Sequence, residues 1–372
     1  MEVRHGGKEY LRRVLSGGKN AKNCAAEDGR LIDFSVNISP LGLPASVIAA
    51  LRGDVAGFGG YPDPFCDKLR SALAARFAVP AGRIVCGAGA GDIIYRIARW
   101  KKPAKALITA PAFSDYEKAL REVSCRIIYH ELAESGFLVD RKILPKITDD
   151  VQIVFLCNPN NPTGLTVGSD LLGQIVRRCD ILGVTLVIDE CFNEFLDEPL
   201  SHTAIPYLDE SPRLIILRAF TKIYAMAGLR LGYCLMGSGE DAGALADTGQ
   251  AWPVSSPAQS AGLAALADDD YYDKTRILVK AERERLKTGL KKLGVENPAG
   301  EANFVFFRVT PASGFDNDSF FDSLLRHNIL LRRCNNYRGL DDSYYRAAVL
   351  ARAENDTLLQ ALAEIRGQPA AC

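Results

Sequence analysis

From about residue 83 to about residue 236 the chain alternates short apolar runs with segments of helical period, and this alternation restricts the fold more than any other feature. The runs Arg83–Cys86, Ala106–Thr109, Arg126–Tyr129, Val151–Cys157, Val184–Ile188, Leu214–Leu217 and Gly232–Leu235 read as strands. Helical periods fit between them, as at Asp92–Trp100, Asp115–Val123 and Asp170–Leu182. The first, fourth and fifth runs are β-branched and continuous, as in strands covered on both faces. Repeated strand–helix units predict an α/β fold with a mostly parallel sheet and helices on both sides.

The flanks differ in texture. Residues 1–44 read as an N-terminal arm that ends in an extended Ile32–Pro44 segment, followed by a helix at Ala45–Arg52 and a Gly/Pro loop at Gly57–Pro64. A charged helical stretch, Asp269–Leu293, leads to candidate strands Asn303–Arg308 and Ile329–Arg333 and a closing helix Asn355–Ile365. A chain of 372 residues suits one large domain and a smaller one. The expected division is a large domain over 45–265 and a small α+β domain over 266–372, to which the 1–44 arm belongs.

Charge and cysteine usage narrow the function. Lys+Arg and Asp+Glu are both 45, so the basic excess of a nucleic-acid binder is missing and a small-molecule partner is expected. No apolar stretch has the length to span a bilayer, and the polar Met1–Gly7 start predicts no secretory signal. The ten cysteines come no closer than twelve residues apart and histidines number four, which disfavours a zinc site. Cysteines inside apolar runs read as buried thiols of a cytoplasmic protein.

Five segments at predicted strand ends carry chemistry, and strand ends are where open α/β sheets bind ligands. Gly87-Ala88-Gly89-Ala90-Gly91 is either a plain tight turn or a phosphate cradle at a helix N-terminus. Asp92 stands where a dinucleotide fingerprint needs its third glycine, and no Gly-Lys-Ser/Thr follows, so neither nucleotide motif is met. Pro111-Ala112-Phe113 comes next. Asn158-Pro159-Asn160-Asn161-Pro162-Thr163-Gly164 fixes an irregular backbone directly after a buried strand. Asp189 ends an apolar run; it is either a helix cap or the partner of a buried cation such as a protonated pyridine nitrogen. Thr221-Lys222 is followed eight residues later by Arg230 in a Gly-rich apolar stretch, and a lysine near a fixed cation has a lowered pKa, as Schiff-base chemistry requires.

Together these segments resemble the fold-type-I pyridoxal 5'-phosphate (PLP) family, the aspartate-aminotransferase-like fold, in the branch of histidinol-phosphate aminotransferases and threonine-phosphate decarboxylases. The resemblance covers nearly the whole chain. It implies that Lys222 is the Schiff-base lysine, that Asp189 pairs the pyridine nitrogen, that Asn161 bonds the ring hydroxyl and that Phe113 stacks on the ring. It implies that Arg230, Thr221 and the backbone of Ala90 and Gly91 hold the cofactor phosphate, with Tyr61 reaching it from the partner subunit of a homodimer with shared active sites. Arg346 matches the arginine that binds a substrate carboxylate; His5 and Arg333 are the further substrate-binding residues. Two departures are visible: Ala219 stands where the family often has a phosphate-binding serine, and Phe192 where it often has a tyrosine.

The His5-Gly6-Gly7 arm, the Asp33–Gly42 segment and Arg333-Cys334-Asn335-Asn336-Tyr337-Arg338-Gly339-Leu340 are similar to the decarboxylase branch. Leu350 stands in place of that branch's second arginine, and Arg352 is the candidate substitute. The implied reaction is decarboxylation of L-threonine O-3-phosphate, or also O-phosphoserine, to aminopropanol phosphate for the cobalamin side chain. The alternative is a histidinol-phosphate-type aminotransferase using 2-oxoglutarate.

Overall fold

A computed structural model of the chain describes Gly7 and residues 31–366. In chain order, β1 (Ile32–Asp33), α1 (Ala45–Gly53) and α2 (Asp67–Phe77) lead to β2 (Ile84–Gly87). Then come α3 (Ala90–Lys101), β3 (Lys105–Ala110), α4 (Ser114–Glu122), β4 (Arg126–Glu131), β5 (Ile153–Cys157), α5 (Ser169–Ile181) and β6 (Thr185–Asp189). They are followed by β7 (Leu214–Ala219), the short α6 (Phe220–Ile223), β8 (Gly232–Met236), α7 (Gly239–Asp247) and α8 (Ser256–Leu266). The 24-residue α9 (Asp269–Lys292) opens the C-terminal part, with β9 (Phe304–Arg308), α10 (Asn317–Arg326), β10 (Ile329–Leu330), β11 (Arg332–Arg333), β12 (Tyr344–Ala348) and α11 (Arg352–Ile365).

All seven strands expected between 83 and 236 are present, in one sheet of order β2-β8-β7-β6-β5-β3-β4. Strands β3 to β7 pair in parallel; β8 runs antiparallel to both of its neighbours, β2 and β7. Every residue of β2, β5, β6, β7 and β8 is buried. The strand period of two divides these side chains between the two faces. Val154, Leu156, Leu186, Ile188 and Ile216 join one apolar core, while Ile153, Phe155, Val187, Ile215 and Leu217 join the other. Such two-faced burial leaves only the strand ends and their loops for ligands.

A second, antiparallel sheet of order β11-β12-β9 lies in the C-terminal part, and β1 pairs in parallel with β10. The expected strand Ile329–Arg333 is therefore two strands. Its first half bonds to Ile32–Asp33 and its second half to Tyr345 and Arg346, so the chain changes partner at Leu331. Of the expected Ile32–Pro44 segment only Ile32–Asp33 is strand. Helix α8 packs a small-residue face (Ala258, Ala261, Gly262, Ala265) and abuts α1 and α2.

Candidate active site

The carboxyl ends of β2, β3, β5, β6 and β7 meet the start of β8 at one edge of the large sheet. There β2 passes through Gly87-Ala88-Gly89 into α3, so the N-terminus of a 12-residue helix, with the amides of Ala90 and Gly91, ends at the sheet edge. Free N–H groups and the helix dipole make such an end attractive to anions. Gly89 has φ +90, and a Cβ there would lie 2.7 Å from Arg230 Nη2. A Cβ on Gly232 would lie 2.9 Å from Gly89 Cα. The two glycines thus let β8 run against the turn and set the Arg230 guanidinium over it. Asp92, which breaks the dinucleotide pattern, ties the turn down: its Oδ2 accepts the Ala88 N–H at 3.1 Å and lies 3.6 Å from Arg96 Nη1.

Lys222 sits in the single-turn helix α6 just beyond β7. Its half-buried amine meets no hydrogen-bond acceptor among the described residues; Nζ stands 5.6 Å from the Phe192 ring centroid. Burial pushes the amine below the usual lysine range; Arg346 and Arg230 push the same way, while Cys191 and Asp189 oppose them. Asp189, at the end of β6, is buried. Its Oδ1 accepts the Cys191 N–H at 3.0 Å and its Oδ2 accepts the Tyr116 hydroxyl at 2.6 Å. No cation pairs with it among the described residues. Both readings of Asp189 therefore have a basis: one oxygen caps its own turn, and the carboxylate faces the cleft. Tyr116 was not singled out in the sequence; the only signal is an aromatic residue three positions past Phe113 at a helix start.

In the Asn-Pro-Asn-Asn-Pro-Thr-Gly loop the first two asparagines build the backbone. Asn158 donates to the His202 carbonyl at 2.8 Å and accepts the Val167 N–H at 2.9 Å; Asn160 donates to the Pro111 carbonyl at 3.0 Å. Asn161 lines the cleft. Its Oδ1 accepts from the Tyr337 hydroxyl at 3.3 Å and from Arg346 Nη1. Buried Arg346 also donates through Nη2 to the Ser35 carbonyl at 3.0 Å, and the Asn37 amide, turned oxygen-inward, accepts from its Nη1 at 3.1 Å. All of these acceptors are neutral, and burial lowers the guanidinium pKa.

Eight of the residues singled out in the sequence line one cavity of about 600 Å³: Ala90, Gly91, Phe113, Asn161, Asp189, Thr221, Lys222 and Arg230. Small-molecule sites span about 300–1,000 Å³. Cys157, Cys191, Phe192 and Ala219 complete the wall, so the two departures Ala219 and Phe192 both face the cavity.

Other expected residues lie elsewhere. Tyr61 is 81% exposed and stacks on Trp252 at 4.3 Å instead of entering its own cavity. Arg333 points away: Nη2 donates to Asp342 at 2.7 Å and the guanidinium lies 5.2 Å from the Phe321 ring centroid. Strand alternation places Arg332, not Arg333, opposite Arg346 in the β11–β12 register. Arg332 is buried and donates to Asn336 Oδ1 at 2.8 Å. Arg352 is on the surface of α11, 3.9 Å from Asp356. His5 lies outside the described residues; the nearby Gly7 N–H donates to Ser35 Oγ at 2.7 Å.

The residues fit PLP on their own chemistry. A buried carboxylate without a cation suits a protonated ring nitrogen, an unbonded amine of lowered pKa suits an aldehyde, and a helix N-terminus beside Arg230 suits a phosphate. The aminotransferase class I and II family model matches residues 30–365.

The chain belongs to that family.

Among its relatives is the threonine-phosphate decarboxylase of Salmonella typhimurium, 36% identical over 90% of this chain and 91% of that protein. Another is the bifunctional adenosylcobalamin biosynthesis protein CobDQ of Leptospira interrogans, 30% identical over 93% of this chain and 40% of that protein. Among solved structures, the histidinol-phosphate aminotransferase from Clostridium acetobutylicum superposes with TM-score 0.84 at 30% identity, over 90% of this chain and 99% of that one. The fold is thus that of the aspartate-aminotransferase-like PLP enzymes, as the sequence led us to expect.

Proposed function

We propose that the protein is a PLP-dependent carbon–carbon lyase that decarboxylates L-threonine O-3-phosphate to aminopropanol phosphate, for the cobalamin side chain. The observation that carries this reading is that one cavity holds an amine without an acceptor, Lys222, and a buried carboxylate without a cation, Asp189, beside a buried arginine, Arg346, whose acceptors are all neutral. The choice of substrate is supported by the similarity to threonine-phosphate decarboxylase and to a cobalamin-biosynthesis protein.

In this reading Lys222 Nζ bonds covalently to the cofactor's aldehyde carbon, and its lowered pKa keeps the amine nucleophilic. Arg230, Thr221 and the Ala90 and Gly91 amides hold the cofactor phosphate, Phe113 covers one ring face and Asn161 bonds the ring oxygen. Asp189, fixed by Tyr116, keeps a proton on the ring nitrogen. When bound, PLP supplies an electron sink for the pair freed as the Cα–carboxylate bond breaks. Arg346 takes the substrate carboxylate and turns that bond across the ring plane, while Arg332 and the His5 arm hold the substrate phosphate. Here Arg332 takes the role first given to Arg333. Lys222 then returns a proton to Cα. A pocket sized for the threonine methyl discriminates against O-phosphoserine by only about 1–3 kcal/mol, so phosphoserine is a slower substrate.

The functional unit in this reading is a cytoplasmic homodimer. Exposed Leu41, Leu43, Val55, Tyr61, Phe65 and Trp252 supply apolar surface for a second copy, and Tyr61 of the partner subunit reaches the cofactor phosphate. Residues 45–265 form the large domain; 266–372, with the 1–44 arm, form the small one. The pairing of β1 with β10 supports placing the end of the arm with the C-terminal part.

The deciding experiment incubates PLP-loaded protein with L-threonine O-3-phosphate and no keto acid and follows CO₂. Multiple turnovers are expected. No CO₂, together with conversion to pyridoxamine phosphate on adding histidinol phosphate, would transfer the protein to the aminotransferase reading.

A further inference from the structure

A second cavity, of about 1370 Å³ including its open mouth, borders α2, β2, α3 and α7, away from Lys222. Two cysteines face it: Cys66, the residue preceding α2, and Cys86 within β2. They are twenty residues apart in sequence, yet their thiols hydrogen-bond to each other. Cys66 has φ 54, a left-handed conformation rare for a residue with a side chain, and it caps the N-terminal end of an 11-residue helix.

The environments of the two sulfurs differ. The hydrogen bond from Cys86 is the main cause that pulls the Cys66 thiol below the usual thiol range; Arg70 adds to it, while burial, Asp63 and Asp67 oppose it. The same bond and burial push Cys86 well up. The other six described cysteines (Cys125, Cys157, Cys179, Cys191, Cys234 and Cys334) are all pushed up, with burial the leading cause. The thiols of the PLP cavity are thus poor nucleophiles, whereas Cys66 combines thiolate character, a neighbouring thiol and an open cavity, the setting of a reactive cysteine with its resolving partner.

We propose that Cys66 and Cys86 form a reversible thiol–disulfide site, oxidised through this cavity by small-molecule disulfides of the glutathione class. The Cys66 thiolate attacks one sulfur of the oxidant and forms a mixed disulfide, expelling one thiolate that takes up the Cys66 proton. Cys86 then loses its proton and attacks the Cys66 sulfur, expelling the second thiolate. One protein disulfide and two small thiols result, so the oxidant gains the two electrons that the cysteine pair loses.

The test treats the PLP-loaded enzyme with oxidised glutathione, quenches in acid, alkylates free thiols and maps peptides without reduction. The expected result is a peptide containing Cys66 joined to one containing Cys86, an intact mass lower by two hydrogens, and reversal by dithiothreitol. In the Cys86→Ser enzyme the reaction should stop at glutathione on Cys66. Full alkylation of both thiols under conditions that oxidise the urea-unfolded chain overturns the proposal, as does linkage of either cysteine to a different one. Mapping the wild-type enzyme decides the matter even where Cys86→Ser fails to fold. The proposal does not depend on the reaction assigned to the PLP cavity, since its readout is a covalent mass.

Discussion

Lys222 and Asp189 are the two charges of the cavity that the protein leaves without an ion partner, and each gives a distinct expectation on substitution. In Lys222→Ala, turnover should fall by at least roughly 10²–10⁴-fold, the usual worth of a positioned acid–base group. Borohydride treatment followed by unfolding should then leave no pyridoxyl group on the chain, while the wild type retains one. Retention of a pyridoxyl group on the variant would remove Lys222 from its role. Tyr116 holds Asp189 through a hydroxyl at 2.6 Å inside the apolar core shared with Phe155. A hydrogen bond to a charged group is worth about 1.5–3 kcal/mol. Tyr116→Phe should therefore lower unfolding stability of the cofactor-free protein by about that amount, measured by urea titration; an unchanged midpoint would mean that the bond contributes nothing.

At the scale of elements, strand β4 offers a pH-dependent marker. His130 is buried there, with Asp140 Oδ1 at 3.3 Å. Its pKa is depressed from 6.5, first by burial and then by Lys146, against the pull of Asp140. The folded ring therefore takes up its proton at lower pH than the unfolded one. As pH falls below about 6.5 the unfolded chain binds the proton first, and stability drops until the folded ring also titrates. His130→Phe should flatten this part of a stability curve taken between about pH 5 and about pH 8, and a curve of unchanged slope would overturn the assignment. The same scale explains what was legible in the sequence. The seven strands of the large sheet could be read because burial on both faces makes them continuous apolar runs. Strand β12 escaped notice because Tyr344-Tyr345-Arg346 carries a site residue in its middle and lacks a simple alternation of apolar and polar residues. Helix α8 escaped because its buried face is made of alanines and one glycine, which give no apolar stripe. The choice between Arg332 and Arg333 depends on which residue faces Arg346 across two strands, and a single sequence does not contain that register. Tyr116 escaped because a hydrogen bond spanning 73 positions leaves no local trace.

For the whole molecule, the question is whether a site is built from two chains. Tyr61 lies on the surface, stacked on Trp252, rather than in the cavity that contains Lys222. If dimers share active sites, mixing inactive Lys222→Ala and Tyr61→Ala subunits creates mixed dimers in which one site has both natural residues. After unfolding and refolding at equal amounts, about half the dimers are mixed and activity should recover to about a quarter of wild type. Failure to recover activity, with dimers confirmed by light scattering, would confine each site to its own chain. The antiparallel placement of β8 also has a consequence for the order of events during synthesis. Strand β2, which ends in the phosphate turn, is hydrogen-bonded in the sheet only to β8. On a ribosome, residues 84–87 emerge early and wait until residues 232–236 have been made before they acquire a neighbour. The cradle for the cofactor's phosphate is thus closed by the last strand of its sheet, and the nascent chain gains its grip on that phosphate only after the rest of the sheet has been synthesised.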